Sequence, residues 1–237
     1  MKLNIVELGN VGYGEALFLQ EYIRDLRDCG KVNDTLVLLE HNSVITLGMR
    51  GKYSNILANS SILEKENIEI YEVTRGGDVT YHGPGQLVGY LIFNLKDHGS
   101  GIRDFVWNVQ EVFIRLLRVN YGIEGHRESG LYTGVWVGNE KITAIGLSVK
   151  HLLTMHGFAF NINTNLDYYK WINPCGITDR GVTSLEKLTG CKQNFKEVSG
   201  IVSDMFCEVF GMEGQKSSGS VNEIFPGFKE RILTNAR

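Results

Sequence analysis

Residues 134–149 read GVWVGNEKITAIGLSV, and they give the clearest fold signal in the chain. Two apolar runs flank the pair Gly138-Asn139, which favours a tight hairpin turn. The second run predicts a strand that continues through Val149. Farther along, residues 158–163 alternate large apolar side chains with smaller or polar ones, which predicts one more strand. The middle of the chain is therefore predicted to be a sheet with antiparallel neighbours.

Other segments extend this pattern in both directions. Short apolar runs predict strands at 35–40 and 44–48, paired with each other, and at 68–74 and 87–95. Amphipathic periodicity predicts helices at 13–27, ending near Gly30, at 100–117, capped by Ser100, and at 195–210. Helices and strands do not alternate as regular βαβ units. The predicted class is α+β, with a mixed, mostly antiparallel sheet and flanking helices.

Composition narrows the class of protein. The 237 residues are 43% hydrophobic and 22% charged, as expected for one globular domain spanning 1–237, with a flexible polar joint near 214–220. The net charge of −3 gives no general attraction for nucleic acid. No apolar run approaches the roughly 20 residues of a membrane span, and the N-terminus lacks a signal-peptide pattern. We therefore expect a cytoplasmic protein.

Four cysteines occur without a CxxC pair, so we expect them to be reduced. The histidines show no zinc-binding spacing, and no metal is assigned. Cys29 and Cys207 are interpreted as structural. Cys175 differs, because Pro174 fixes the chain before it and Gly176 removes bulk after it. It is either a structural cysteine in a turn or a thiolate nucleophile that needs a nearby cation.

Two further segments leave alternatives open. The run Arg75–Gln86 holds four glycines and is interpreted as a loop between strands, either a plain connection or a set of amides for an oxygen ligand. It matches neither common nucleotide-binding glycine pattern. Within it, His82 is either a hydrogen-bonding scaffold or a base. Lys141 is either a solvated turn lysine or a residue of a partly desolvated site, where its pKa falls.

Four motifs in order resemble the lipoyl(octanoyl) transferase family. They are RGGDVTYHGPGQ at 75–86, KITAIG at 141–146, HGFAFN at 156–161 and NPCG at 173–176. The likeness extends from Leu8 to about Leu188. It implies a biotin/lipoate protein ligase-like fold and no cofactor. It also implies transfer of an octanoyl group from octanoyl-acyl carrier protein to a lysine of lipoyl domains, in 2-oxoacid dehydrogenase complexes or the glycine cleavage H protein.

The resemblance also assigns roles to residues. It implies that Cys175 carries the acyl group as a thioester and that Lys141 lowers its pKa or moves its proton. The implied substrate-binding residues are Arg75, Gly76, Gly77, Asp78, Val79, Thr80, Tyr81, His82, Ala144, Ile145, Gly146, Gly157, Phe158 and Ala159. Backbone amides of the Gly76-Gly77 loop or near Cys175 would stabilise each oxyanion.

The chain departs from the family pattern at a few positions. Ser148 stands where an arginine is expected, and Asn42-Ser43 replaces a proline-containing turn. Phe158 and Phe160 replace the usual leucines, so we expect a shortened or bent acyl pocket. Three other functions remain open: an ATP-dependent lipoate-protein ligase, an enzyme that moves acyl groups between lipoyl-type proteins through another cysteine, and a catalytically silent acyl-binding module.

Overall fold

The structure is a computed structural model that describes residues 1–99, 101–173 and 180–235. Its strands are β1 (Lys2–Asn10), β2 (Asp34–Glu40), β3 (Val44–Leu47), β4 (Glu69–Glu72), β5 (Val79–His82), β6 (Gln86–Ile92), β7 (His126–Glu128), β8 (Gly134–Val137), β9 (Glu140–Lys150), β10 (Leu153–Asn161), β11 (Gly181–Val182) and β12 (Glu213–Ser218). Its α-helices are α1 (Tyr13–Asp28), α2 (Ser60–Lys65), α3 (Ile102–Tyr121), α4 (Leu185–Thr189), α5 (Phe195–Phe210), α6 (Val221–Ile224) and α7 (Phe228–Asn235).

Two sheets organise the described residues. The larger has nine strands in the order β12-β1-β2-β6-β10-β9-β8-β7, with β11 paired to β9. β1 is parallel to both of its neighbours, and every adjacent pair from β2 to β7 is antiparallel. The smaller sheet has the order β4-β3-β5. This mixed, mostly antiparallel arrangement confirms the predicted α+β class.

Helices cover both faces of the large sheet. Leu36 and Leu38 of β2 join a core cluster with residues of α3 and α5, whereas Val37 and Leu39 join a second cluster with residues of α1. Successive side chains of a strand point to opposite faces, so the two clusters lie on opposite sides of the sheet. Because both faces of the sheet are covered, β2 and β6 are apolar along most of their length and do not alternate apolar with polar residues. Among the described residues, no helix is long and apolar enough to cross a membrane.

The strongest sequence patterns predicted their elements well. β8 and β9 form the predicted hairpin, and Gly138 takes the left-handed conformation at its turn, with φ +56°. α3 buries one continuous apolar stripe and ends at Gly122, also left-handed. The predicted cap of α3 was wrong, because Gly101 occupies the N-cap position and makes no side-chain cap. Ser100 itself lies outside the described residues.

Three other predictions were wrong. β2 and β3 do not pair, because β2 already has β1 and β6 on its two edges and β3 belongs to the small sheet. The run 75–86 is not a single loop, because Val79–His82 forms β5 against β3. Residues 213–218 form β12 rather than a flexible joint. All six residues of β12 are exposed, so its backbone pairing with β1 leaves no hydrophobic signal in the sequence.

Candidate active site

A cavity of about 270 Å³ is lined by residues of both sheets. Nearly all of the site residues that the resemblance implied, and that the structure describes, line this cavity. They are Arg75, Gly76, Gly77, Asp78, Val79, Thr80, His82, Lys141, Ala144, Ile145, Gly146, Gly157, Phe158 and Ala159. Tyr81 is the exception among the described residues. Its ring stacks on Tyr168 and its hydroxyl is hydrogen-bonded to Ser43.

Small residues of β9 and β10 form one wall of the cavity. Gly146 lies opposite Gly157 in the strand pairing, and Ala144 lies opposite Ala159. Residues two apart on a strand share a face, so each strand presents two small residues on one face. All four positions line the cavity. At the two glycines the backbone of neighbouring segments takes the place of a side chain, because a Cβ at Gly146 or Gly157 would lie 2.8 or 2.1 Å from the carbonyl oxygen of Gly76 or Gly89.

The loop that precedes β5 approaches this wall closely at Gly146. A Cβ atom at Gly146 would lie 2.8 Å from the carbonyl oxygen of Gly76. The Gly76 amide also donates a hydrogen bond to the Leu147 carbonyl oxygen, at 2.9 Å. The Gly77 amide makes no hydrogen bond with the described residues, and Gly77 lines the cavity with φ +92°. It is therefore available as a donor to a ligand.

Arg75 fixes the start of the same loop. Its buried guanidinium donates hydrogen bonds to the carbonyl and hydroxyl oxygens of Thr46, at 2.7 and 2.8 Å, and to the Gly76 carbonyl oxygen, at 3.1 Å. Thr46 belongs to β3, so these bonds tie the loop to the small sheet. The same guanidinium places a positive charge beside the cavity.

His41 and Tyr90 form a buried hydrogen-bonded pair. His41 Nδ1 donates to the Val11 carbonyl oxygen at 2.6 Å, and burial lowers the pKa of His41 to about 4. The ring is therefore neutral near pH 7, and its Nε2 accepts from the Tyr90 hydroxyl at 2.6 Å. Burial raises the pKa of Tyr90 well above its ordinary value. Tyr90 lines the cavity with its hydroxyl orientation set by His41.

His82 and Tyr13 also line the cavity, with their rings stacked at a centroid distance of 6.0 Å. Burial lowers the pKa of His82 to about 3, and repulsion from Arg75 and from the protonated form of His41 contributes. Burial raises the pKa of Tyr13 to about 12. Both side chains are thus uncharged near pH 7.

His156 is a cavity residue that sequence reasoning missed, although it begins the HGFAFN motif. Its backbone is left-handed, with φ +60°, inside β10. Its amide donates to Gln20 Oε1 at 2.8 Å, and its buried Nδ1 has no partner among the described residues. Burial, with a contribution from Arg75, lowers the pKa of His156 to about 4. A left-handed backbone is unusual for a residue other than glycine, and no sequence pattern predicts it at this position. Only the structure could reveal it.

Lys141 reaches the cavity from β9. Its Nζ atom donates to the Thr133 carbonyl oxygen at 3.5 Å and lies 5.0 Å from the centre of the Trp136 ring. Arg180 lies 5.1 Å from the same ring and is paired with Glu128 at 3.0 Å. Trp136 and Arg180 line the cavity and were also missed. Trp136 lies opposite Lys141 in the predicted hairpin, so its position could have been found from the turn, whereas only tertiary structure brings Arg180 beside Lys141.

Cys175 lies outside the described residues, and so does the rest of the 174–179 segment. The chain resumes at Arg180, which lines the cavity, and β11 then pairs with β9 so that Val182 is opposite Lys141. The described cysteines are Cys29, Cys191 and Cys207. None of these three lines the cavity.

The two phenylalanines that replace leucines have different surroundings. Phe158 lines the cavity and packs on Phe113 at a centroid distance of 4.7 Å. Its ring fits because Gly89 has no side chain, since a Cβ there would lie 2.1 Å from the ring. Phe160 is fully buried in the core and does not line the cavity. Only Phe158 is placed to change the shape of an acyl pocket.

Sequence comparison finds close relatives. A family model described as the lipoyl protein ligase A/B catalytic domain matches residues 12–207. An octanoyltransferase from Caldicellulosiruptor saccharolyticus is 56% identical over 211 residues, which are 89% of this chain and 90% of that protein. These matches confirm the resemblance that the four motifs indicated.

Structure comparison extends the likeness to ligases. The crystal structure of a lipoate-protein ligase A bound with ATP has a TM-score of 0.77 at 15% identity, over 99% of this chain and 95% of that chain. A biotin protein ligase from Aquifex aeolicus has a TM-score of 0.51 at 14% identity, over 89% of this chain and 70% of that chain. At these identities the likeness concerns the fold, and it confirms the predicted biotin/lipoate ligase-like architecture.

Proposed function

The chain belongs to the lipoyl protein ligase A/B catalytic domain family, and from this premise we propose that it transfers an octanoyl group from octanoyl-acyl carrier protein to a specific lysine of lipoyl domains. The reaction is the first step of endogenous protein lipoylation. The acceptors are lipoyl domains of 2-oxoacid dehydrogenase complexes or the glycine cleavage H protein. One observation carries the proposal: Lys141, His82 and the separate segments 75–80, 144–146 and 157–159 meet in a single cavity with an apolar wall.

In the first half of the reaction, the Cys175 thiolate attacks the carbonyl carbon of the donor thioester. A new carbon–sulfur bond forms and the bond to the carrier's sulfur breaks. The carrier leaves as a thiolate, which becomes a thiol by taking up the proton that Lys141 accepted from Cys175. One thioester replaces another, so no ATP is needed. The Gly77 amide, which has no partner among the described residues, is a candidate donor to the oxyanion. Such a donor contributes about 3 kcal/mol in comparable acyl-transfer sites.

In the second half, the neutral amine of the target lysine attacks the thioester on Cys175. A carbon–nitrogen bond forms, the carbon–sulfur bond breaks, and the amine's proton passes to Lys141 as the thiolate leaves. Trp136 and Arg180 flank the Lys141 amino group at the cavity, and the positive charge of Arg180 favours the neutral form of that amino group. Covalent acyl transfer of this kind gives ping-pong kinetics.

The test is an intact-mass assay of an apo lipoyl domain. With octanoyl-acyl carrier protein and no ATP, the lipoyl domain gains one octanoyl group. With free octanoate and ATP in place of the carrier, it gains none. The reverse pattern would identify an ATP-dependent ligase, and no product under either condition would support a silent binding module.

Variants of two lysines test the role of Lys141. Lys141→Ala slows transfer, whereas Lys187→Ala serves as the matched control, because Lys187 is exposed and pairs with Glu140 outside the cavity. A Lys141→Ala enzyme that acylates Cys175 and transfers onward at the wild-type rate would remove Lys141 from the mechanism.

A further inference from the structure

A row of side-chain amides behind His82 determines which of its ring nitrogens carries the proton. Asn161 Nδ2 donates to the Thr183 carbonyl oxygen at 3.0 Å, which leaves Asn161 Oδ1 as the acceptor. Gln86 Nε2 donates to that oxygen at 2.9 Å and to the Tyr81 carbonyl oxygen at 3.3 Å. Backbone carbonyls can only accept, so both amides have one allowed orientation.

The remaining amide oxygen, Gln86 Oε1, lies 2.8 Å from His82 Nδ1. Since an amide oxygen can only accept, His82 Nδ1 carries the hydrogen. In the neutral ring, Nε2 then has a lone pair and no hydrogen. Gln86 and Asn161 face each other across the β6–β10 pairing, so the sheet itself holds the row in register.

His82 Nε2 is open to the cavity. This nitrogen makes no hydrogen bond with the described residues. It is also not fully buried, and His82 lines the cavity. Burial and the nearby charges keep the pKa of His82 at about 3, so this nitrogen is not a base near pH 7. The groups that face the ring are Tyr13, His41, Arg75 and His156. His82 Nε2 is therefore a fixed, uncharged hydrogen-bond acceptor.

The chemistry of the reaction indicates what such an acceptor binds. The carbonyl of a thioester has only lone pairs and requires donors, so it cannot pair with His82 Nε2. Of the two groups that react, only the attacking lysine amine has N–H bonds. The cavity also holds the cationic side chains of Arg75 and Arg180, which favour the amine over the ammonium form.

We propose that His82 Nε2 accepts a hydrogen bond from the attacking lysine amine, and that Gln86 and Asn161 are positioning residues that keep this nitrogen unprotonated. The inference rests on the proposed function and adds a residue that acts in the second half of the reaction. No proton moves to His82 in the step. The hydrogen bond restricts the orientation of the amine, and the proton released on attack goes to Lys141.

The first experiment uses the wild-type protein with ¹⁵N-labelled histidine. Ring-nitrogen chemical shifts at pH 7 are expected to show His82 neutral, with hydrogen on Nδ1 and a bare Nε2. Addition of an apo lipoyl domain to the octanoylated enzyme, rapidly frozen, should shift the Nε2 signal. A His82 with its hydrogen on Nε2, or a charged ring, would overturn the proposal without any variant.

The second experiment separates the two half-reactions in Gln86→Leu, which breaks the row at its centre. Gln215→Leu is the matched control, since Gln215 is exposed on β12 and away from the cavity. Octanoylation of the enzyme by octanoyl-acyl carrier protein should keep its wild-type rate. Transfer from the isolated acyl-enzyme to the lipoyl domain should slow about tenfold, as expected for loss of one oriented hydrogen bond.

The outcomes distinguish this inference from the function on which it rests. If wild-type enzyme never becomes octanoylated, the proposed function fails and the inference fails with it. If acyl-enzyme forms but Gln86→Leu transfers its octanoyl group at the wild-type rate, only the inference fails. Slowing of the first half-reaction alone would also overturn it, because His82 would then act on the donor.

Discussion

Substitution of Gly146 by alanine tests whether the loop before β5 must touch β9. The new Cβ would lie 2.8 Å from the Gly76 carbonyl oxygen, a backbone atom that cannot rotate away. Overpacking of this kind costs about 1–3 kcal/mol. The adjacent hydrogen bond from the Gly76 amide to the Leu147 carbonyl would weaken as the loop moves, at a cost of about 1 kcal/mol.

The expected loss for Gly146→Ala is therefore about 2–4 kcal/mol in the free energy of unfolding, measured by urea denaturation. Because the displaced loop also carries Gly77 at the cavity, octanoyl transfer should slow roughly tenfold to a hundredfold. Gly200→Ala is the control. A Cβ there meets nothing within 4 Å, and alanine in a helix is about 0.5–1 kcal/mol more favourable than glycine. A Gly146→Ala protein with wild-type stability and rate would refute the close-approach argument.

Three further predictions follow from the same cavity. His41, His82 and His156 have pKa values of about 4, 3 and 4 in the fold against 6.5 when unfolded, so their stabilisation is complete above pH 6.5. As the pH falls from 6.5 to 4, each should remove about 1.4 kcal/mol per pH unit from the free energy of unfolding, and a flat profile would contradict this. Phe158→Leu should raise the ratio of decanoyl to octanoyl transfer in a competition assay, because it widens the cavity, and an unchanged ratio would exclude Phe158 from the acyl pocket. Among the described residues, Tyr81→Phe loses only the hydrogen bond to Ser43, so it should cost about 1 kcal/mol in the free energy of unfolding. The KM for the donor should stay unchanged, and a raised KM would place Tyr81 in the site after all.

The fold was predictable from sequence where side-chain burial leaves a periodic pattern. α3 has a continuous apolar stripe, and the β8–β9 hairpin has a glycine that its turn requires. β1 was missed and β12 was mistaken for a joint. The six residues of β12 are all exposed, so its position depends on backbone hydrogen bonds to β1, for which the sequence has no pattern.

The candidate site was predictable in part, and mainly through the family motifs. Local chemistry alone favoured a solvated turn position for Lys141 over a position in a site. The structure adds what no motif states: the left-handed backbone of His156, the stacking of Trp136 beside Lys141, and the amide row that orients His82. The amide row depends on a contact between Gln86 and Asn161, which are 75 residues apart in the chain. The role of Cys175 stays a prediction, because it lies outside the described residues.

Peptide mass mapping after incubation with octanoyl-acyl carrier protein and no ATP shows whether Cys175 carries the acyl group. We expect this acyl-enzyme to form, with one octanoyl group on the peptide that contains Cys175, and to disappear again when an apo lipoyl domain is added. Octanoyl found instead on Cys29, Cys191 or Cys207, or transfer to the lipoyl domain while Cys175 stays unmodified, would contradict it.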